Sequence, residues 1–318
     1  MPEERIIRTC SIWRALEVVG DTSTLLILES AWLGFNRFDE FLNKTGLLKA
    51  LLSNRLKKLV AAGLLEREAY SRTPLRHRYL LTKKGRDLYW VSLMLLRWEQ
   101  KYGEPDKHIA IALFHTCSDR PIAPEPACGH CRANIDAFQI AWKEGPGVGW
   151  MAPLYSRRRQ LRASSEAATT LFEQSAQIMG DRWASLILRS IFTGIRRFDD
   201  IQADAAMASN ILAERLAWLT EIGVIRQVQY GTGPARFEYH CTRKGIDYYP
   251  ALLMLMRWGD TYFVAAEGPP LLLEHVNCGH ALDPVVVCSN CRKTIAAHDM
   301  RFELSGPVDA AGERQRLA

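Results

Sequence analysis

The 318-residue sequence has no apolar run of the length that a membrane span needs. A transmembrane helix takes about 18 or more consecutive apolar residues, so no membrane span is expected. Residues 1–8 also lack the apolar centre of a signal peptide. The net charge of +6 is mild, so the placement of charges matters more than their total. These features predict a cytoplasmic globular protein whose cysteines are thiols or metal ligands instead of disulfides.

The sequence also lacks the residue patterns that mark common enzymes. It contains no arrangement of a nucleophile with an adjacent base, and no glycine-rich loop of the kind that binds phosphate. We therefore predict that the protein is not an enzyme.

The chain matches itself when it is shifted by 160 residues. Residues 16–101 and 176–261 are identical at 29 of 86 positions without a gap. The same offset places His115 on His275, and it places one Cys-x-x-Cys pair on the other. A period this long indicates two copies of a whole domain instead of a solenoid of short units.

Each copy predicts several helices, a β-hairpin and a long final helix. In the first copy, leucines recur at helical spacing from Leu48 and stop at Gly63, a residue type that often follows a helix. A polar turn at residues 71–74 separates two short apolar strands. Thr82 is a suitable N-cap for a helix running from residue 83 to 102. The second copy repeats this pattern, with its turn at residues 231–234 and its last helix at 243–263.

Three helices followed by a two-stranded wing is the order of a winged helix-turn-helix domain. We therefore predict a mainly α fold with small β-hairpins, in which two winged domains are each followed by a small Cys/His module resembling a zinc ribbon. The predicted order is winged domain 1 (1–105), Cys/His module 1 (106–142), a linker (143–165), winged domain 2 (166–266), Cys/His module 2 (267–305) and a disordered tail (306–318).

The first copy resembles the HxlR-type branch of the MarR-like transcription regulators. The matching segments are GDTSTLLILESAWLGFNRFDEFL, LLSNRLKKLVAAGLLERE and PLRHRYLLTKKG. The second copy carries GDRWASLILRSIFTGIRRFDDI, ILAERLAWLTEIGVI and PARFEYHCTRKG. The resemblance covers about two thirds of the chain and implies DNA binding. Members of that family are usually single-domain proteins that dimerise through their terminal helices, whereas this chain holds two copies.

The predicted helix at residues 48–62 has two contrasting faces. The face expected to be buried carries Leu48, Leu52, Leu56 and Leu59. The face expected to meet DNA carries Lys49, Ala50, Ser53, Asn54 and Lys57. In the major groove, Asn can pair with adenine, and Lys can reach guanine or phosphate. A charged helix face can also be merely solvated, but the wing and the family resemblance favour DNA binding.

The predicted wing adds cationic side chains to the same surface. These are Arg72, Arg76 and Arg78, with His77 beside them. Such residues are suited to phosphates or to an adjacent minor groove.

Two arginines that both copies retain lie near the apolar stripe of the recognition helix. Because they do not face away from the core, we expect Arg55 to form a structural ion pair with Asp39, and Arg215 with Asp199.

The two copies differ in charge. Residues 36–79 hold ten Lys or Arg and four acids, whereas residues 196–239 hold five and six. Where the first helix has Lys49, Asn54 and Lys57, the second has Ser209, Glu214 and Ala217. A carboxylate repels phosphates, and fewer cations release fewer counterions. The first copy is therefore predicted to dominate DNA binding, leaving the second as a weak reader, a dimerisation partner or a ligand-responsive half.

Six of the eight cysteines lie in the two Cys/His modules. The predicted ligands are His115, Cys117, Cys128 and Cys131 in the first copy, and His275, Cys278, Cys288 and Cys291 in the second. One His and three Cys can form a closed, tetrahedral structural zinc site, which leaves no position open for catalysis. We therefore expect one zinc ion in each copy. His130 and His280 are rival ligands, and the alternatives are thiols left from an ancestral site or redox pairs.

Two cysteines stand outside these modules. Cys241 is expected to be a packing residue at the end of a strand. Cys10 precedes the first helix, where the resemblance implies a thiol that responds to oxidants in several HxlR-type regulators. A sensor thiol should be exposed and electropositive, and Arg8 and Arg14 are near in sequence. The alternative is an ordinary N-terminal cysteine.

The predicted function is a DNA-binding transcription regulator whose partner is double-stranded DNA, read mainly by the first winged domain. One alternative is a metal- or thiol-based protein–protein adaptor with redundant winged domains, and another is a redox-sensing regulator that uses Cys10. The apolar density of the long final helices also predicts self-association. This could join the two repeats of one chain as a pseudo-dimer, or join two chains.

Overall fold

A computed structural model of the full chain describes residues 7–103, 110–152, 170–231, 236–263 and 265–305. The helices are α1 (Ser11–Val19), α2 (Thr22–Trp32), α3 (Phe38–Thr45), α4 (Lys49–Ala61), α5 (Lys83–Arg86), α6 (Tyr89–Tyr102), α7 (Glu173–Gly180), α8 (Arg182–Phe192), α9 (Phe198–Ala205), α10 (Ser209–Glu221), α11 (Arg243–Ile246) and α12 (Tyr249–Tyr262). Among the described residues, no helix has the length and apolarity to span a membrane.

The strands are short and pair mostly as antiparallel ribbons. They are β1 (Ile7–Arg8), β2 (Leu65–Arg72), β3 (Leu75–Leu81), β4 (Ala110–His115), β5 (Pro124–Cys128), β6 (Ile140–Glu144), β7 (Trp150–Met151), β8 (Ile225–Tyr230), β9 (Arg236–Cys241), β10 (Leu271–His275), β11 (His280–Ala281), β12 (Pro284–Cys288) and β13 (Met300–Ser305). The predicted mainly α class with small hairpins and two winged domains is confirmed.

Two compact units organise the described residues. Unit A consists of residues 18–103, 110–127, 170–180 and 285–305. Unit B consists of residues 7–17, 128–152, 181–231, 236–263 and 265–284. Each unit contains the winged domain of one repeat together with segments of the other repeat. The units therefore interleave the sequential domains predicted above.

The winged domain of unit A begins with a well-capped helix pair. The Asp21 carboxylate accepts a hydrogen bond from the Thr24 amide at 3.0 Å and caps α2. At the start of α3, the Glu40 carboxylate accepts from the Asn36 and Arg37 amides. Gly46 ends α3 in the left-handed region, at φ 63°, where glycine has no steric penalty. The chain then turns directly into α4, which packs against α2 and α3.

The wing of unit A is the β2–β3 ribbon, and it leads into the last helix. Thr82 is an N-cap as predicted, but of the short helix α5, because its hydroxyl accepts a hydrogen bond from the Gly85 amide. The predicted single helix at 83–102 is nevertheless two helices, α5 and α6, and the equivalent region of the second repeat divides into α11 and α12. Gly85 permits a close approach at this point, since an added Cβ would lie 2.2 Å from the Leu64 carbonyl oxygen.

In unit A, α7 of the second repeat packs against α2 and α6 of the first. The buried Glu99 carboxylate accepts hydrogen bonds from the first-turn amides of α7, at 2.8 Å from the Ser175 nitrogen. The buried Glu29 carboxylate accepts from the Thr170 hydroxyl and from the Leu171 amide. Burial raises the pKa of Glu29 to about 7. The apolar residues of α6 that were expected to drive self-association are thus buried within their own unit.

In unit B, the start of α1 occupies the position equivalent to α7, but its contacts differ. The Ser11 hydroxyl donates a hydrogen bond to the Asp260 carboxylate on α12. At the position matching Glu99 stands Gly259, where an added Cβ would lie 2.3 Å from the Ser11 carbonyl oxygen. At the position matching Glu29 stands Arg189, which is ion-paired with Asp204. Each repeat thus binds the N-terminal segment of the other, but the polar side chains that make the contacts differ between the two units.

The strands that follow the winged domains are also exchanged between repeats. In unit A, β4 of the first repeat pairs antiparallel with β13 of the second. In unit B, β10 of the second repeat pairs with β6 of the first, and β11 extends this sheet. The predicted self-contained modules are therefore replaced by ribbons that each combine both repeats.

Part of the predicted linker is regular structure. Lys143 and Glu144 belong to β6, and β7 pairs antiparallel with β1 in unit B. The predicted linker from residue 153 onward, and the predicted tail, lie outside the described residues.

Candidate nucleic-acid interface and metal centres

Helix α4 has a buried face and an exposed face, as predicted. Leu52, Leu56 and Leu59 are buried, while Lys49, Asn54 and Lys57 are exposed, Ala50 is exposed and Ser53 is half-buried. The prediction is wrong for Leu48, whose side chain is 79% exposed. Leu48 is the N-cap residue of α4 and precedes the first helical turn. The buried residue at this end is Leu47.

Arg55 is held by the residue that caps α2. Its Nε lies 2.8 Å from the Asp21 carboxylate, and neither side chain is more than 20% exposed. The prediction that Asp39 is the partner is wrong. Asp39 lies in the first turn of α3, whereas Asp21 lies at the start of α2, where its carboxylate contacts Arg55 on α4. The signal for the correct partner is the Gly-Asp pair that both copies retain at residues 20–21 and 180–181.

Arg55 also orients a residue of the exposed face. Its guanidinium donates a hydrogen bond to Asn54 Oδ1 at 3.0 Å. A chain of contacts therefore runs from the cap of α2 through Arg55 to the side chain of Asn54.

The wing of unit A presents Arg72 and Arg76 to solvent. Arg78 is instead bound by the Glu68 carboxylate through two hydrogen bonds of 3.0 Å. Glu68 was not anticipated from the sequence. Its hydrogen bond raises the pKa of Arg78, and Arg78 in turn lowers the pKa of Glu68. The guanidinium of Arg37, the N-cap residue of α3, lies 4.9 Å from the centre of the Tyr70 ring on β2.

The second winged domain repeats the Arg–Asp pair with different surface residues. Arg215 is ion-paired with Asp181, the N-cap of α8, and not with the expected Asp199. The Arg215 guanidinium also lies 2.8 Å from the Glu214 carboxylate, at the position matching Asn54. The tip of this wing, residues 232–235, lies outside the described residues.

Eight Cys and His residues form two groups of four that could each hold a metal ion. In unit A the group is His115, Cys117, Cys288 and Cys291, and in unit B it is Cys128, Cys131, His275 and Cys278. All eight predicted ligands are brought together, but the pairing within one copy is wrong. Each group takes its His and one Cys from one repeat and its Cys-x-x-Cys pair from the other. The exchanged β-ribbons are the physical reason, because they carry the ligand pairs across.

The spacing within each group suits a tetrahedral ion. In unit A the Cys117 and Cys288 sulfurs are 3.8 Å apart, and in unit B the Cys128 and Cys278 sulfurs are 4.0 Å apart. Two thiolates at about 2.3 Å from a tetrahedral ion would lie about 3.8 Å apart. The Nδ1 of His275 lies 3.4 Å from the Cys131 sulfur.

The rival histidines belong to neither group. The rings of His130 and His280 stack on each other in unit B, with centroids 3.4 Å apart. His280 Nδ1 lies 2.7 Å from the Cys278 carbonyl oxygen.

The two remaining cysteines are poor candidates for exposed sensors. Cys10 is buried in unit B, whereas a sensor thiol was expected to be exposed. It contacts Arg189, and although burial acts to lower the pKa of that arginine, Cys10 and Asp204 raise it. Cys241 is half-buried at the end of β9, and burial raises its pKa to about 12.

An amphipathic α4 and a basic ribbon beside it define unit A as a winged helix-turn-helix of the DNA-binding class. Residues 18–107 and 178–267 both match the family model described as HxlR-like helix-turn-helix. These two stretches comprise 180 of the 318 residues. The chain therefore belongs to the HxlR-like helix-turn-helix family, which it carries in duplicate.

Similar proteins include HTH-type transcriptional regulators that each align with less than half of this chain. The uncharacterized HTH-type transcriptional regulator Rv3095 of Mycobacterium tuberculosis is 38% identical over 145 residues, which are 46% of this chain and 89% of that protein. The uncharacterized HTH-type transcriptional regulator YvaP of Bacillus subtilis is 33% identical over 92 residues, which are 29% of this chain and 85% of that protein.

One solved structure with a related sequence is PA1374 of Pseudomonas aeruginosa, described as a candidate transcription factor. It is 27% identical, and the match covers 43% of this chain and 92% of that one. The TM-score of this match is 0.33.

Proposed function

We propose that this protein is a transcription regulator that binds double-stranded DNA mainly through its first winged domain. The observation that carries the proposal is the exposed face of α4, where Lys49, Asn54 and Lys57 stand clear of a buried leucine stripe. Asn offers hydrogen bonds to a base edge, and the two Lys side chains can reach phosphate or guanine. Ser53 lies on the same side, half-buried. The cytoplasm is then the place of action.

The wing adds phosphate contacts in this proposal. Arg72 and Arg76 are exposed and free to approach the backbone on either side of the groove. Arg78 contributes less than its charge implies, because Glu68 neutralises it. Base contacts then come from α4, while the wing fixes the position of the domain on the duplex.

Zinc is the ion that we propose for the two Cys/His groups. Each group offers one imidazole nitrogen and three sulfurs, which is a common ligand set of structural zinc. The role is structural, since four protein ligands leave no open coordination position. No enzymatic activity is proposed for the chain.

This arrangement disfavours the two alternative functions. An adaptor without DNA binding has no use for a recognition helix with cationic residues beside a cationic wing. A sensor that relies on Cys10 would need that buried thiol to become accessible.

Self-association between chains is not needed to cover the long helices. The face of α6 is buried in unit A, in part by α7, and the face of α12 is buried in unit B, in part by the start of α1. We therefore propose that the apolar faces of α6 and α12 are buried by other segments of the same chain.

Gel-shift titration over a range of salt concentrations tests the proposed DNA binding. The triple variant Lys49→Ala, Asn54→Ala, Lys57→Ala should lose sequence-specific binding and show a smaller salt slope, because two phosphate-reaching cations are gone. Arg120→Ala removes one charge from an exposed loop of unit A and is the control that should bind nearly as the wild type does. Equal binding by the triple variant and the wild type would refute the proposal.

A further inference from the structure

At one of the positions where the two recognition helices differ, an arginine holds the side chain in the same way in both helices. Asn54 on α4 and Glu214 on α10 are separated by the repeat offset of 160 residues. Each accepts a hydrogen bond or ion pair from the arginine that follows it, at 3.0 Å for Arg55 and 2.8 Å for Arg215. The side chain of Glu214 is 63% exposed, so it is available to a ligand.

The arginine behind Glu214 is itself anchored. Arg215 is ion-paired with Asp181, which also caps α8 by accepting from the Ala184 amide at 3.0 Å. Burial acts to lower the pKa of Arg215, but the two carboxylates raise it above its ordinary value. The guanidinium therefore stays charged and holds the Glu214 carboxylate in one place on the exposed face.

Several acids of the second winged domain have a cationic partner. Glu214 is paired with Arg215, Asp204 with Arg189, and Glu238 with Arg197. Half of the six acids at residues 196–239 are thus paired with a neighbouring cation. These pairs leave the net charge of the domain unchanged, but each of the three carboxylates lies beside a cation.

From this geometry we propose that Glu214 reads cytosine in the major groove, which makes the second winged domain a base reader with its own preference. A carboxylate accepts from the N4 amino group of cytosine, whereas an Asn or Gln amide pairs with adenine. Asp181 and Arg215 are positioning residues, because Asp181 anchors Arg215 and Arg215 holds the Glu214 carboxylate in place. Exposed Arg226 and Arg236 on the second wing supply phosphate contacts.

This inference rests on the proposed function and gives it a consequence. The first domain favours adenine opposite Asn54, and the second favours cytosine opposite Glu214. The preferred DNA would then contain two half-sites that differ in sequence, and the protein would bind it in one orientation.

The test is enrichment of binding sites from random double-stranded DNA by the full-length protein and by Glu214→Gln. Wild-type protein should enrich two different half-sites, with a C·G pair at one position of the second. Glu214→Gln should change that position to A·T, with a shift in relative affinity of about tenfold or more. The first half-site should stay unchanged.

Matched variants separate this inference from the proposed function. Asn54→Ala removes the amide from the equivalent exposed position of the first domain and should relax the base preference of the first half-site alone. If the wild type enriches one half-site and Glu214→Gln enriches the same sequence, the inference is overturned and the proposed function stands. If the wild type enriches no sequence at all, both fail. Because Glu214 is exposed, its replacement should leave the fold intact. Thermal unfolding of each variant verifies that the variant is folded.

Discussion

At the scale of single residues, an aspartate that caps one helix also anchors the arginine of the next recognition helix. Asp21 caps α2 and binds Arg55, and Asp181 caps α8 and binds Arg215. Each carboxylate therefore ties the start of one helix to the recognition helix of the same domain. The partly buried position of both partners makes the pair more costly to break than a surface ion pair.

Replacing Arg55 with Ala should lower the free energy of unfolding by about 1–3 kcal/mol, because Asp21 would be left partly buried without its partner. The matched control is Lys83→Ala, since Lys83 is paired with Asp87 at an exposed site. Exposed pairs contribute about 0–1 kcal/mol, so this control should change stability little. Chemical denaturation of both variants is the measurement, and equal effects would contradict the account.

Sequence reasoning succeeds for most of this surface and fails at identifiable residues. The leucine stripe and the exposed Lys and Asn of α4 follow from helical periodicity. The partner of Arg55 does not, because both copies retain Asp21 and Asp39 and the sequence cannot say which carboxylate folds toward the arginine. The burial of Leu48 was mispredicted because the helix starts one residue later.

At the scale of elements, the helix that precedes each winged domain docks on the other repeat through polar groups. In unit A, the Glu29 and Glu99 carboxylates accept hydrogen bonds from backbone amides just before α7 and in its first turn. In unit B, Arg189 and Asp260 occupy the equivalent region beside Cys10 and Ser11. Such differences favour docking of each helix in its own place, since a buried carboxylate or guanidinium needs a matching partner.

The buried Glu29 predicts a pH dependence of stability. Its pKa is about 7 in the folded protein because of burial, whereas the ordinary pKa of an exposed Glu carboxyl is 4.5. Between these pH values the folded protein holds a proton that the unfolded chain has released. The resulting stabilisation is complete below about pH 4.5 and is lost as pH rises through about 7. Lys44 opposes this shift and Glu99 adds to it.

Glu29→Gln should remove this dependence, because the amide stays neutral at every pH. Relative to wild type, the variant should gain about 2–3 kcal/mol of unfolding free energy between pH 5 and pH 8, a value that follows from the pKa difference. Denaturation at several pH values measures this, with Glu66→Gln on the exposed face of β2 as the baseline. A constant difference between Glu29→Gln and wild type would contradict the burial argument.

At the scale of the whole molecule, each compact unit is built from both repeats. The N-terminal helices, the β-ribbons and the Cys/His groups are all exchanged. The duplication could be predicted from the 160-residue offset, but the exchange could not. Each His has two equivalent Cys-x-x-Cys pairs available, and the sequence pattern is the same whichever one it meets.

The metal content of two double variants tests this exchange most directly. Protein purified without chelator should contain about two zinc ions per chain. His115→Ala with Cys291→Ser damages one exchanged site and should leave one ion. His115→Ala with Cys128→Ser removes the same residue types but damages both sites, so it should leave none. The opposite pattern would show that each repeat binds metal by itself, and a metal-free wild-type protein would contradict the metal sites altogether.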